Sequence, residues 1–233
     1  MTRTALITGG SGGIGRACGR RLAELGYDVV LAARRQDRLA QIAEELNVEG
    51  VVADVTDEDD VLRLCGVRPS WSVLVHAAGT LDGSDIAQQP TDVFDDVYRT
   101  LLRSTYMLSK HTAARMAPGG RQILMGSTAG LRPMKGLSAY SAFKAGLNAF
   151  AAVGEAELEE HGIGVHVIAP GPVDTPMLRH RWHSLVPDDV ADAVAFLVGL
   201  RPGVAVPLIE MRMAKTGPFA PDLTGGSAGV GEV

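Results

Sequence analysis

Cysteine is scarce in this chain. Cys18 and Cys65 are the only two among 233 residues, and each falls within a segment of helical periodicity, so a disulfide framework is not expected and a reducing, cytoplasmic setting is. Positive charge is not in excess either. Lys and Arg number 22 against 27 Asp and Glu, a formal charge of −5, and no basic run stands out, which argues against a nucleic-acid partner. No apolar stretch approaches the roughly 20 residues a membrane-crossing helix needs. The chain enters an apolar strand pattern at once, so no signal peptide is expected. Internal repeats are absent. With 46% hydrophobic residues, one globular domain is expected over residues 1–215. The remainder, 216–233, is rich in Gly, Pro and Ser and reads as a disordered tail.

Lysine is missing from the most conspicuous stretch, Thr8-Gly9-Gly10-Ser11-Gly12-Gly13-Ile14-Gly15. A nucleoside triphosphatase loop would end in Gly-Lys-Ser/Thr, so that reading is excluded. The same stretch satisfies Gly-x-Ser-x-Gly, the nucleophile elbow of certain hydrolases, but that elbow belongs later in a chain, after the loop that supplies half of its oxyanion hole. What is present is an apolar run, Thr4 to Ile7, then the glycines, then helical spacing from Ile14 to Leu25. Strand, glycine turn and helix in that order form a dinucleotide cradle: glycine allows the tight turn, and the helix aims unpaired N–H groups and its positive end at a pyrophosphate. Thr8, Gly9, Ser11, Gly13, Ile14 and Gly15 are the candidate cradle residues.

Further along, Asp28 to Ala33 is apolar after its first residue, as in a parallel strand covered on both faces. At its end, where an acid would accept a ribose 2′-hydroxyl, stands Ala33, followed by Arg34 and Arg35. An arginine there favours a 2′-phosphate, so NADP is expected over NAD. The bland alternative is a solvated pair of arginines at a strand end. Gly50 to Ala53 reads as a third strand, with Asp54 and Val55 beside the adenine site and Thr56 as cap of the next helix. Ser72 to His76 reads as a fourth strand, followed by the small residues Ala77, Ala78 and Gly79, which let a cofactor approach. His76 itself reads as a hydrogen-bonded structural residue rather than a base. Thr91 to Met116 has a long helical pattern whose length suggests packing against a partner subunit.

Arg121 to Gly126 reads as a fifth strand, and Ser127 follows at its carboxyl end, where open α/β sheets bind their ligands. The next helix carries Tyr140 and Lys144, four residues apart and hence on one face. A phenol near pKa ~10 is a poor acid–base group at neutral pH, and a neighbouring ammonium, aided by an oxidised nicotinamide, is expected to bring it down. Tyr140 then exchanges a proton while Ser127 holds the substrate oxygen. A sixth strand, Gly164 to Ala169, runs into Pro170-Gly171-Pro172-Val173-Asp174-Thr175, a rigid turn that can offer the Val173 backbone and Thr175 hydroxyl to a carboxamide and a phosphate. Asp188 to Leu200 reads as a helix and Val206 to Met213 as a last strand.

Taken together, residues 3 to 213 resemble the short-chain dehydrogenase/reductase family. Thr8, Gly9, Gly13 and Gly15 match Thr-Gly-x-x-x-Gly-x-Gly; Ser127, Tyr140 and Lys144 match the Ser and Tyr-x-x-x-Lys set; Pro170 and Gly171 through Thr175 match the Pro-Gly turn. The resemblance implies a Rossmann-type, doubly wound, mostly parallel sheet of seven strands with helices on both faces. It also implies hydride transfer between NADP(H) and a carbonyl or alcohol substrate, and assembly as a homodimer or homotetramer. Lys144 would then also hold the nicotinamide ribose.

Two features depart from the family. His76-Ala77-Ala78-Gly79 replaces the usual Asn-Asn-Ala-Gly, a form that looks like the ketoreductases of polyketide synthases. Lining up Phe94-Asp95-Asp96-Val97 with the family's helix start puts Leu101 where a catalytic asparagine usually stands. An apolar side chain cannot hold the relay water, so the relay runs differently, turnover is slow, or the protein is a cofactor binder without significant turnover. Between Pro176 and Pro187 the chain is short, implying an open cleft. Arg179, His180, Arg181 and His183 there are consistent either with an anionic or carrier-bound carbonyl substrate, with Trp182 as an apolar wall, or with a solvated basic loop.

Overall fold

In the computed structural model, residues 2–178 and 184–214 are described. Seven strands form one sheet in the order β3-β2-β1-β4-β5-β6-β7. They are β1 Thr4–Thr8, β2 Asp28–Ala33, β3 Glu49–Val52, β4 Trp71–His76, β5 Met116–Met125, β6 Gly164–Pro170 and β7 Leu208–Met211. Every pairing is parallel, so the sheet is wholly rather than mostly so.

The helices are α1 Gly13–Glu24, α2 Gln36–Leu46, α3 Glu58–Cys65, α4 Thr91–Tyr98, α5 Ser104–Ala113, α6 Ser138–Leu158 and α7 Pro187–Val198. Strand alternation divides them between two faces. Ala5, Ile7, Val29 and Leu31 point into a core shared with α1, α2 and α7, while Leu6, Val30 and Ala32 point into one shared with α3 and α5. Near the far edge, α6 closes a further cluster against β5 and β6 through Leu147 and Ala151. Burial of both faces explains why the strands read as continuous apolar runs.

The chain moves outward from β1 to β2 and β3, then returns to place β4 on the other side of β1. Thr8 and His76 are partners at the carboxyl ends of β1 and β4, and the loops that follow them part around a crevice. A ligand in an open α/β sheet sits at such a reversal.

Some boundaries differ from expectation. The long helix ends at Ala113, and Met116 already belongs to β5; between α4 and α5 the residues Arg99–Arg103 form one π-helical turn. Asp57, not Thr56, caps α3 by accepting from the Asp60 N–H at 3.0 Å. Thr56 is taken by Asp54, whose Oδ1 accepts from its N–H at 2.9 Å and its hydroxyl at 2.8 Å. β7 is shorter than the alternation suggested because its flanks leave the β6 ladder. The tail and the segment 179–183, with Arg179, His180, Arg181, Trp182 and His183, lie outside the described residues.

Candidate active site

The glycine turn forms one wall of a cleft of about 460 Å³ at the carboxyl edge of the sheet. Gly9 has φ +71°, and a Cβ there would sit 2.7 Å from the Ala77 carbonyl, so the turns after β1 and β4 meet only because residue 9 has no side chain. A Cβ on Gly15 would collide with the Gly9 carbonyl, and one on Gly13 would lie 2.8 Å from Thr175 Cγ2. Gly12 begins α1 without a side-chain cap, and no acid stands in the first turn. The amide donors there are left for an anion.

Gly9, Ser11, Gly13, Ile14 and Gly15 line this cleft with Arg34, Asp54, Val55, Ala77, Ala78, Gly79 and Thr175. Thr8 does not. It is fully buried, and its hydroxyl accepts the Ala78 N–H at 3.3 Å, so it shapes the crevice from one layer back rather than touching a ligand. Arg35, which the sequence reading placed beside Arg34, also lines the cleft, and so does Arg38, which that reading missed. Arg38 stands four residues after Arg34, a spacing that was available as a signal. Arg34 Nη1 lies 3.7 Å from Asp54 Oδ2. This end is cationic and the glycine end offers amide donors, so the residues present fit an adenine dinucleotide with an added phosphate.

The cleft continues into a second hollow of about 530 Å³ lined by Ser127, Tyr140, Lys144, Pro170, Gly171, Val173 and Thr175. Ser127 Oγ accepts the Ala129 N–H at 3.1 Å. That fixes the hydroxyl, whose place beside Tyr140 favours the phenolate. Burial nevertheless dominates and pushes Tyr140 above the ordinary phenol range. The expected downward pull from Lys144 is not the governing effect here. Lys144 Nζ stands 5.7 Å from the Tyr140 ring centroid and donates to the Met125 carbonyl at 2.6 Å. Burial lowers Lys144 to about 8. The set therefore joins a protonated phenol, an alcohol beside it, and an ammonium whose hold on its proton burial has weakened.

The short chain dehydrogenase family model matches residues 3–185. The chain belongs to the short-chain dehydrogenase/reductase family. The cyclic-di-GMP-binding biofilm dispersal mediator protein of Escherichia coli (strain K12) is 32% identical over 212 residues, covering 84% of this chain and 90% of that protein. The crystal structure of BdcA in complex with NADPH superposes with a TM-score of 0.86 at 28% identity, covering 90% of this chain and 92% of that one. A variant of actinorhodin polyketide ketoreductase with NADPH gives 0.82 at 26% identity, covering 90% and 95%. Like its family, this short-chain dehydrogenase/reductase is an NAD(P)-dependent oxidoreductase of CH–OH and C=O groups.

Two of its side chains depart from the family pattern, and both are buried beside the cleft. Ser104 Oγ donates to the Thr100 carbonyl at 2.5 Å, so it must accept from His76 Nε2 at 2.9 Å. The imidazole therefore carries its proton on Nε2, and Nδ1 accepts from the Thr8 hydroxyl at 2.6 Å. One directed chain runs from the Ala78 N–H through Thr8, His76 and Ser104 to the π-helical turn. Burial, with the charge of Lys144 second, holds His76 at about 3, so it stays neutral and structural as expected. Leu101 lies in that π-helical turn, 1% exposed, and lines the hollow that holds Tyr140. Such turns, with one extra residue per turn, recur at functional sites.

Proposed function

We propose that this chain reduces a carbonyl with NADPH, with Tyr140 as the proton donor, and that it works as one unit over residues 1–215. The observation that carries the reading is that Ser127 and Tyr140 line one hollow, with the Lys144 ammonium behind the phenol ring. When bound, the dinucleotide supplies the hydride. Tyr140, held protonated by burial, delivers the proton that keeps an alkoxide from accumulating, and Ser127 orients the carbonyl oxygen. Lys144 keeps positive charge beside the phenol as it loses its proton, and holds the nicotinamide ribose. The Pro170–Thr175 turn receives the carboxamide end.

The preference for NADP rests on Arg34, with Arg35 and Arg38 on the same wall, and the NADPH complexes of the two structural neighbours support it. A homodimer or homotetramer is supported by Phe94, Tyr98 and Tyr106 on α4 and α5 and Val153 on α6, which are 40 to 58% exposed, more apolar surface than one helix pair ordinarily leaves bare. A cytoplasmic setting accords with Cys18 and Cys65 standing as buried free thiols.

A second reading, an NADP(H) binder with little turnover, is favoured by Leu101 and by the Escherichia coli relative, whose name records binding rather than catalysis. The test is a panel of ketones and aldehydes followed through NADPH absorbance, beside the melting temperature with NADPH and NADH. Substrate-dependent oxidation supports the enzyme. A cofactor-induced shift without turnover across the panel supports the binder, and no shift with either nucleotide defeats both readings.

A further inference from the structure

The substrate side of the hollow is aliphatic. Beyond Ser127 and Tyr140 its larger described side chains are mostly aliphatic, Leu81, Leu101, Met134, Leu137, Met177 and Leu178, with the hydroxyls of Thr80 and Thr128 among them. Leu101 packs with Val97 and Ala139 and against the rings of Tyr140 and Phe143, and its Cδ2 comes within 3.4 Å of where a side chain on Gly79 would begin. It thus forms a fixed inner wall next to the phenol. At the opening Met134 and Met177 are 58% and 53% exposed. Unbranched thioether side chains left bare at a cleft mouth suit contact with apolar surfaces of varied shape.

Charge on the described walls is confined to two lysines. Lys144 is committed to Met125 and Tyr140, and Lys135 is exposed at the rim. A substrate carboxylate pushed against Leu101 would lose its water without gaining a partner among the described residues. One stretch of the hollow's wall is also tightly packed. A Cβ on Gly83 would lie 2.6 Å from both the Gly136 carbonyl and Leu137 Cδ2, so the loops after β4 and β5 touch backbone to side chain there.

We propose that the substrate is a neutral aliphatic or aryl ketone or aldehyde of limited length, its apolar substituent lying against Leu101, and that Leu101 sets this specificity. The assignment rests on the reading that Ser127 and Tyr140 receive the carbonyl oxygen. An asparagine at position 101 would present an amide to the same space, and leucine removes it.

The test uses the full chain with saturating NADPH and two comparisons. Ethyl acetoacetate and acetoacetate share a ketone and differ in charge; methyl ketones from butanone to octanone differ in apolar length. The neutral ester is expected to exceed the acid at least about tenfold in kcat/KM, and each methylene to add roughly fourfold until the packed wall at Gly83 is reached. Leu101→Asn should lower the ratio of kcat/KM for octanone to that for butanone about tenfold, whatever it does to turnover itself, and leave NADPH affinity unchanged. Equal or better turnover of the acid, no dependence on length, or unchanged selectivity in Leu101→Asn overturns the proposal. If nothing is turned over, the melting temperature of the NADP complex with octanone or acetoacetate decides it separately. Stabilisation by octanone alone upholds the apolar site while the reductase reading falls; stabilisation by acetoacetate, or by neither, overturns it.

Discussion

Lys144 donates to the Met125 carbonyl at 2.6 Å from a position 5.7 Å from the centre of the Tyr140 ring. The oxygen it bonds to is thus a neutral one, and burial lowers Lys144 from 10.5 to about 8. Between about 8 and 10.5 the unfolded chain binds the proton that the folded chain has released, so this group's contribution to stability rises with pH through that window. Below about 8 the cost of the buried ammonium is felt in full. Activity runs the other way. Tyr140 is raised and keeps its proton, but loses the charge beside it, so kcat/KM for carbonyl reduction is expected to be level at lower pH and to fall as pH rises through about 8. A pH–rate profile flat to well above that point would remove Lys144 from the chemistry.

Removing the phenol hydroxyl tests the proton donor directly. Tyr140→Phe and Ser127→Ala are each expected to lower kcat roughly 100- to 10,000-fold. NADPH affinity, read by fluorescence titration, should stay within about twofold for Ser127→Ala, because Ser127 bonds to Ala129 and lies beside Tyr140. Wild-type turnover by Tyr140→Phe would mean that another group delivers the proton.

Cofactor choice is carried by the arginine wall. Arg34 lies 3.7 Å from Asp54, a pairing of exposed groups that costs little to exchange for a phosphate. Replacing Arg34 and Arg38 by alanine should lower the NADPH-over-NADH ratio of kcat/KM roughly 10- to 100-fold, the worth of one or two charge-assisted hydrogen bonds, with NADH values nearly unchanged. A ratio that does not move assigns the arginines to ordinary solvated surface.

Much of this was legible in the chain, for identifiable reasons. The glycine turn requires a strand before it and a helix after it, and β1 and α1 begin within a residue of where periodicity placed them. Strand β2 matches Asp28 to Ala33 because burial on both faces leaves no polar interruption. What failed to show depends on contacts distant in sequence. Met116 looked helical because only its pairing with Trp71 across the sheet makes it strand. Thr8 looked like a cradle residue because spacing cannot tell a side chain that faces a ligand from one that faces His76. The pull of Lys144 on Tyr140 was inferred from helical spacing, whereas depth of burial, invisible in a sequence, governs both groups. Position 101 was legible as a leucine but not as the centre of a π-helical turn.

His76 separates a titration effect from a bonding effect. Its folded value is about 3 against 6.5 in the open chain, so between those values the unfolded state binds more protons. The stability it contributes is complete above about 6.5 and is lost as pH falls toward 3, with a slope of at most about 1.4 kcal/mol per pH unit. His76→Asn supplies one acceptor and one donor without a titrating group, and should flatten the acid limb of unfolding free energy measured by urea at successive pH values. His76→Leu supplies neither. It leaves the Thr8 hydroxyl without its acceptor and Ser104 without its donor, and should cost roughly 1–3 kcal/mol at every pH. The π-helical turn is the far end of this chain of bonds, so the leucine variant should also weaken NADPH binding more than the asparagine variant does. An acid limb equally steep in His76→Asn would show that another buried group titrates there, and equal stability of the two variants at neutral pH would show that the directed chain from Ala78 to Thr100 holds nothing in place.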